Sequence, residues 1–432
     1  MDMQQKELLA ILQKEVVPAL GCTGPTAVSY VAAEAATAVG GTPLKVEVKV
    51  DRHIGTKNSD VGIPGTSAVG LKMAAALGAL VGDAAAGLNV LHNVTPKDEK
   101  KALAFSKSGA VTVEPDLETE ILGLFMDCSV TTDRGIGRAV VVKTHTNLVY
   151  REANGKVQVD IPYDRVASMN EAHDAMAHLK VEDFYRFATT APLADIQFLG
   201  EAIPMNKALA EATLSGEAKG AGFGVSMMKR CSQGDIIHKA EALTAAGAEA
   251  RMIGYSLPAM SCATSGNVGI TASLPLISLA EDLGSSDEAL LRALTLSFLM
   301  TICVKNRIGR VSSMCACVTA ASQGIAAGAA LLLGGDLACV DRAINNTIVN
   351  IFGVVCDGAR VACALKLSSA AGIALECAVL AKDGVVTPAN EGVVGKNADD
   401  SLNFMGDFAQ HGLAGSDLAL CKALYKKQRE LD

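Results

Sequence analysis

The sequence predicts an α+β protein in which a subdomain containing an antiparallel sheet is joined to a larger, mainly α-helical domain. Residues 44–51, L-K-V-E-V-K-V-D, alternate apolar and charged side chains, the period of a strand with one buried face. Further β-type runs follow as far as residue 161, and after Asp164 successive helical segments replace them. The composition agrees. The chain is 50% hydrophobic but only 4% aromatic and has no Trp, so its core is built mainly from Ala, Val, Leu and Ile, with Gly allowing close helix approach. At 432 residues it is too long for one simple core. The changes of pattern divide it at residues 1–40, 41–165 and 166–432.

The first helix is expected over residues 4–14, with Leu8, Leu9, Ile11 and Leu12 on one side. Pro18 and Pro25 then bracket a glycine-flanked Cys22, and the second proline is placed to open a helix running to Ala38. After the strand at 44–51, residues 51–70 read as a glycine-rich loop and 69–88 as an Ala-rich helix. Strands are expected at 110–113, 126–131, 137–151 and 156–161, with Asn154-Gly155 as the hairpin turn between the last two. Helices are expected at 169–179, 181–190, 195–214, 232–246, 287–303, within 311–335, and at 339–352.

A net charge of -8 and a pI near 5.5, with no clustered basic patch, argue against nucleic acid or an anionic membrane surface as partner. The basic residues near the end (Lys422, Lys426, Lys427, Arg429) suit a solvated helix terminus. Two uncharged runs, 253–280 and 311–335, are long enough to span a bilayer. The first is broken by Pro258, Pro275 and S-G-N-V-G, and the second is mostly small residues, so buried helices are expected instead. The amphipathic, charged start has no apolar signal core, which points to the reducing cytoplasm. There, grouped cysteines bind metal or react more often than they form disulfides. Of the twelve, Cys128, Cys231, Cys262, Cys303, Cys339, Cys377 and Cys421 are expected to be ordinary packed thiols.

The remaining thiols define the candidate chemistry. Cys315 with Cys317, and Cys356 with Cys363, lie in one charge-poor segment, and Cys22 sits at a loop-to-helix junction, where unpaired N–H groups favour a thiolate. C-A-C is not a zinc-ribbon spacing, and histidine is scarce, so a thiolate-rich site suits an iron-sulfur cluster better than catalytic zinc, although packed helix thiols account for the spacing equally well. The loops K-N-S-D-V-G-I-P-G-T (57–66) and S-G-N-V-G-I (265–270) match neither nucleotide-binding fingerprint and are suited to a small carboxylate or ammonium. Arg310 and Arg360, if buried beside the cysteines, need an acid or an anionic ligand. His53 and Lys57 are candidate bases, each of which taken singly reads first as a surface residue.

G-C-T-G-P, K-N-S-D-V-G-I-P-G-T, T-S-G-N-V-G-I, G-R-V-S-S-M-C-A-C-V-T-A-A and V-C-D-G-A-R-V-A-C-A-L-K occur in this order from end to end of the chain. Together they resemble the L-cysteine desulfidase family, which is related to the alpha region of the iron-sulfur L-serine dehydratases. The resemblance implies a [4Fe-4S] cluster held by Cys22, Cys315 and Cys356, with Cys317 and Cys363 in reserve, and therefore N-terminal helices packed on the helical domain. It implies β-elimination of L-cysteine to pyruvate, ammonia and hydrogen sulfide without pyridoxal phosphate, an open iron acting as Lewis acid. Asn58, Ser265, Asn267 and Arg310 would fix the small amino-acid substrate. The alternatives are an L-serine dehydratase on the same scaffold and a non-catalytic iron-sulfur redox or metal sensor. Assembly as a homo-oligomer is left open.

Overall fold

The computed structural model describes residues 2–21, 23–118, 124–163, 176–309 and 312–431. Its strands are β1 (Val16–Leu20), β2 (Pro43–Asp51), β3 (Val111–Asp116), β4 (Phe125–Thr132), β5 (Gly135–Val142), β6 (Leu148–Ala153), β7 (Lys156–Asp160) and β8 (Pro258–Cys262). Six form one sheet in the order β3-β2-β4-β5-β6-β7, while β1 pairs with β8 in a separate ribbon. The α+β class holds. The large sheet is mixed, however, because β2 and β3 run parallel while its other pairs are antiparallel.

On β2, Val46, Val48 and Val50 are buried and the charged residues between them are exposed, as the alternation requires. The buried face packs under the helices Thr23–Val39 and Leu71–Val81 through Ala27, Val31, Ala32, Ala35 and Leu77. These helices approach closely at Gly78, where a Cβ would overlap the Ser29 carbonyl oxygen. The helical domain has its own core, to which Leu8, Leu12 and Val16 contribute. The helix Met3–Glu15 therefore rejoins the helical domain, but Thr23–Val39 packs on the sheet, unlike the arrangement expected for residues 1–40.

Local chemistry explains the other differences. The start of the expected 51–70 loop is a helix, Arg52–Lys57, because one Asp51 carboxylate oxygen accepts the N–H groups of His53 and Ile54 (both 3.0 Å) while the other takes Phe125 (3.2 Å). The 69–88 helix ends at Val81, before Gly82, and Asp83 starts a separate 3-10 turn. The 137–151 run is two strands, split by a polar turn in which Lys143 takes φ 68° and the Asn147 side chain bonds the Val142 carbonyl (3.1 Å). Strand β8 lies beyond Asp164, in a stretch expected to be helical or loop. Helix Pro96–Lys107, with a Thr95/Asp98 capping box, was not anticipated. Most of the helix expected at 169–179 lies outside the described residues, and 176–178 form a turn.

The uncharged runs form the helices Gly266–Leu283 and Ala316–Leu332, buried from 266 to 280 and from 318 to 330. Among the described residues one helix, Cys363–Lys382, is long and apolar enough to cross a membrane, and most of its apolar side chains are buried within the protein.

Candidate active site

Segments 313–315 and 354–356 lie antiparallel, with Cys315 N–H donating to the Val354 carbonyl and Cys356 N–H to the Ser313 carbonyl, both at 2.8 Å. This sets Cys315 and Cys356 side by side, close enough for each thiol to bear on the ionisation of the other. Cys315 caps the helix Ala316–Leu332, Cys317 lies in its first turn, and Cys363 opens the helix Cys363–Lys382. The Cys317 thiol, together with burial, pushes Cys315 well up. The Cys315 thiol and burial do the same to Cys356, opposed by Lys57. Burial pushes Cys363 up to about 11. These thiols stay protonated at neutral pH unless a bound cation draws out the thiolate.

The donor set fits an iron-sulfur group. Cys315, Cys317, Cys356 and Cys363 are neighbours, two of them buried, with Lys57 and Lys366 supplying positive charge nearby. No three of these four thiols lie within 4.8 Å of one another, so they do not form a compact mononuclear site of the structural zinc type. The eleven described cysteines are all free.

The 57–66 loop ties the other motifs to this cluster. The Lys57 carbonyl accepts the Ala359 N–H (2.7 Å), and Gly358, at φ 115°, passes so close that a Cβ would sit 2.6 Å from that oxygen. Asn58 lies against Gly24 in the first turn of Thr23–Val39. Val61 packs with Met252 and Cys363, and Pro64 packs on Gly21. Cys22 itself and Arg310 lie outside the described residues.

A single buried carboxylate organises the helix Arg52–Lys57. Asp417, on the C-terminal helix Ala414–Leu431, holds Lys57 Nζ at 2.7 Å, His53 Nε2 at 2.6 Å and Arg52 Nε at 3.1 Å, and its side chain is 2% exposed. Burial opposes its ionisation, but His53 and Lys57 hold it well below the usual carboxylate range. Burial lowers His53 against the pull of Asp417, leaving a neutral imidazole at neutral pH. Its Nδ1 has no partner among the described residues. His53 and Lys57 are thus not the surface residues they resemble singly, because a partner about 360 positions away holds Lys57 buried and His53 partly buried. Cys421, a buried thiol as expected, lies within 4.8 Å of the His53 and Asp417 ligand atoms. A metal there is disfavoured, since both Asp417 oxygens already hold cations or the imidazole.

S-G-N-V-G is not a simple turn but the start of the helix Gly266–Leu283. Before it, Cys262 and Ser265 exchange backbone hydrogen bonds (both 3.1 Å) across Ala263 and Thr264, which adopt φ 48° and 68°. Left-handed backbone at two successive non-glycine residues, one of them β-branched, is strained. Lys305 Nζ donates to the Ala263 carbonyl. Ser265 caps Val268, and Asn267 Oδ1 accepts from Arg251 Nη1 at 3.1 Å. Asn267 also contacts Met252, which packs against Cys363, so this loop adjoins the thiols. Arg360 pairs with Asp60 at 2.6 Å, the structural role open to it from the outset.

Sequence reasoning missed Asp417, Arg251, Lys305 and His145. His145 lies in the β5–β6 turn and is lowered to about 4 by burial and by Lys305. A lone Asp in G-S-D-L-A-L-C or an Arg ending an Ala-rich helix carries no local signal.

The profile of the serine dehydratase alpha chain family matches residues 85–422. The chain is 37% identical over 427 residues to a UPF0597 protein of Caldanaerobacter subterraneus, covering 98% of this chain and 100% of that one. It is 37% identical over 422 residues to a UPF0597 protein of Oleidesulfovibrio alaskensis, covering 97% of each. It is 34% identical over 417 residues to a UPF0597 protein of Clostridium tetani, covering 96% and 97%.

Proposed function

The chain belongs to the serine dehydratase alpha chain family, a lyase family, and from that premise we propose that it is an iron-sulfur-dependent lyase converting L-cysteine to pyruvate, ammonia and hydrogen sulfide. The observation that carries the reading is the meeting of four thiols with the 57–66 loop, which in turn contacts the first turn of Thr23–Val39 and the end of Ile236–Met252. Cys22, Cys315 and Cys356 would hold a [4Fe-4S] group, with Cys317 and Cys363 as the neighbouring donors. When bound, that group supplies a Lewis acid for the leaving sulfur.

The protein's own residues do the rest. His53 is the base: Asp417 holds Nε2 and orients the ring, which leaves Nδ1 to take the proton from Cα. As the Cα–H bond breaks, its electron pair forms the Cα–Cβ double bond and the Cβ–S bond releases hydrosulfide. The aminoacrylate then adds water and yields pyruvate and ammonia. Lys57, pinned on Asp417 and sensed electrostatically by Cys356, keeps positive charge beside the thiols. Asn58, Ser265, Asn267 and Arg310 orient the amino acid. Free thiols suit the reducing cytoplasm.

A second reading, L-serine as substrate, is favoured by the description of the matching family. Assaying sulfide and pyruvate from L-cysteine against pyruvate from L-serine, with anaerobically purified protein, separates the two. Absence of activity on both defeats the lyase reading.

A further inference from the structure

Arg251 is a buried cation with no described carboxylate beside it. It lies in the last turn of the helix Ile236–Met252 and is 6% exposed. Nη1 donates to Asn267 Oδ1 (3.1 Å), Nη2 donates to the Gly21 carbonyl (2.9 Å), and Nε is buried without a partner. Both acceptors are neutral. A buried guanidinium so placed needs an anion to balance it.

The surroundings add positive potential. The guanidinium lies on the first turn of Gly266–Leu283, where a Cβ on Gly266 would overlap Nε. The positive end of an 18-residue helix therefore faces the same place as the arginine. Ser265 caps only Val268, and the backbone N–H groups of Gly266 and Asn267 have no partner among the described residues. Lys305 reaches the Ala263 carbonyl two residues earlier. Thr264 is exposed and Ser265 half-buried, so the turn opens to solvent.

We propose that Arg251 and the Gly266 and Asn267 amides form the receptor for the substrate's α-carboxylate. One guanidinium and two amide donors balance a small monoanion such as an amino-acid carboxylate. The inference rests on the lyase reading and names the group that selects the amino acid. It also explains Gly266, since any side chain there would displace the arginine from the helix end.

The test uses L-alanine, which has the carboxylate and amine but no leaving group, and ethylamine, which lacks the carboxylate. In thermal melts of the purified wild-type protein, L-alanine raises the midpoint and ethylamine does not. Arg251→Met abolishes the L-alanine shift and Arg251→Lys weakens it. In turnover, Arg251→Lys raises KM for L-cysteine about tenfold or more, keeps iron and acid-labile sulfide at wild-type levels, and narrows the preference for L-cysteine over cysteamine. If Arg251→Met does not fold, the two ligands on wild type and the Arg251→Lys variant still decide. Equal shifts with L-alanine and ethylamine, or unaltered L-alanine binding in Arg251→Lys, overturn the proposal. Iron-free, inactive wild-type protein that still shows the L-alanine shift defeats the lyase reading instead.

Discussion

Replacing Asp417 by Asn tests how the C-terminal helix governs the site. The side chain is 2% exposed and bonds Lys57, His53 and Arg52 at 2.7, 2.6 and 3.1 Å. Asn keeps the shape and one acceptor but removes the charge, leaving the buried Lys57 without the carboxylate that holds it and weakening one of the contacts of Arg52. Breaking a buried pair in this way costs about 3–5 kcal/mol, and Asn should fall near the lower end. With a urea dependence of about 1–3 kcal/mol per molar, a loss of about 3 kcal/mol moves the unfolding midpoint down by about 1 M or more. Asn also presents an N–H that competes for the imidazole, so His53 loses its orientation and kcat falls by about 10²-fold or more. The assays are anaerobic urea melts and turnover of Asp417→Asn beside wild type. An unchanged midpoint with unchanged kcat would refute the argument. Lower stability with unchanged kcat would leave Asp417 structural and remove His53 as base.

Three further predictions follow from the same contacts. His53→Asn should lower kcat by about 10²-fold with little change in KM and with iron retained, as single-turnover kinetics and iron analysis will check. The His53 value lies below its unfolded value, so the unfolded chain binds the extra proton and stability falls as pH drops below about 6.5 toward the folded value. Asp417 is depressed and contributes stability above its unfolded value, lost only as pH falls through its lower folded value. Urea midpoints measured from neutral to mildly acidic pH should therefore decline more steeply in wild type than in His53→Asn, and parallel curves would argue against a buried neutral imidazole. Gly266→Ala should displace Arg251 and cost about 1–3 kcal/mol, read as a lower urea midpoint together with a weakened L-alanine shift.

The alternation on β2 identified a half-buried strand because its burial depends on neighbours in the sequence. The 137–151 run was less legible, since its turn relies on Lys143 taking a left-handed backbone and on the Asn147 side chain, without the glycine that marks Asn154-Gly155. Asp51 illustrates a cap hidden inside a charge-alternating strand. At the site, the thiols and glycine-rich loops were visible as residue types, and the structure brings Cys315, Cys317, Cys356, Cys363, Asn58 and Asn267 into one region. The groups that set their charge were not visible. Asp417 is 364 positions from His53, and Arg251 is 230 from Gly21, so neither has a local pattern to disclose its partner.

The central claim is an iron-sulfur site built on Cys315 and Cys356 that eliminates sulfide from L-cysteine. The most direct measurement is iron, acid-labile sulfide and L-cysteine-dependent pyruvate in protein purified without oxygen, for wild type and for Cys315→Ala and Cys356→Ala. The account predicts iron and sulfide in equal amounts and pyruvate formation in wild type, with all three lost in both variants. Iron-free wild-type protein, or a Cys315→Ala and a Cys356→Ala variant that both retain the cluster and turn over L-cysteine, would contradict it.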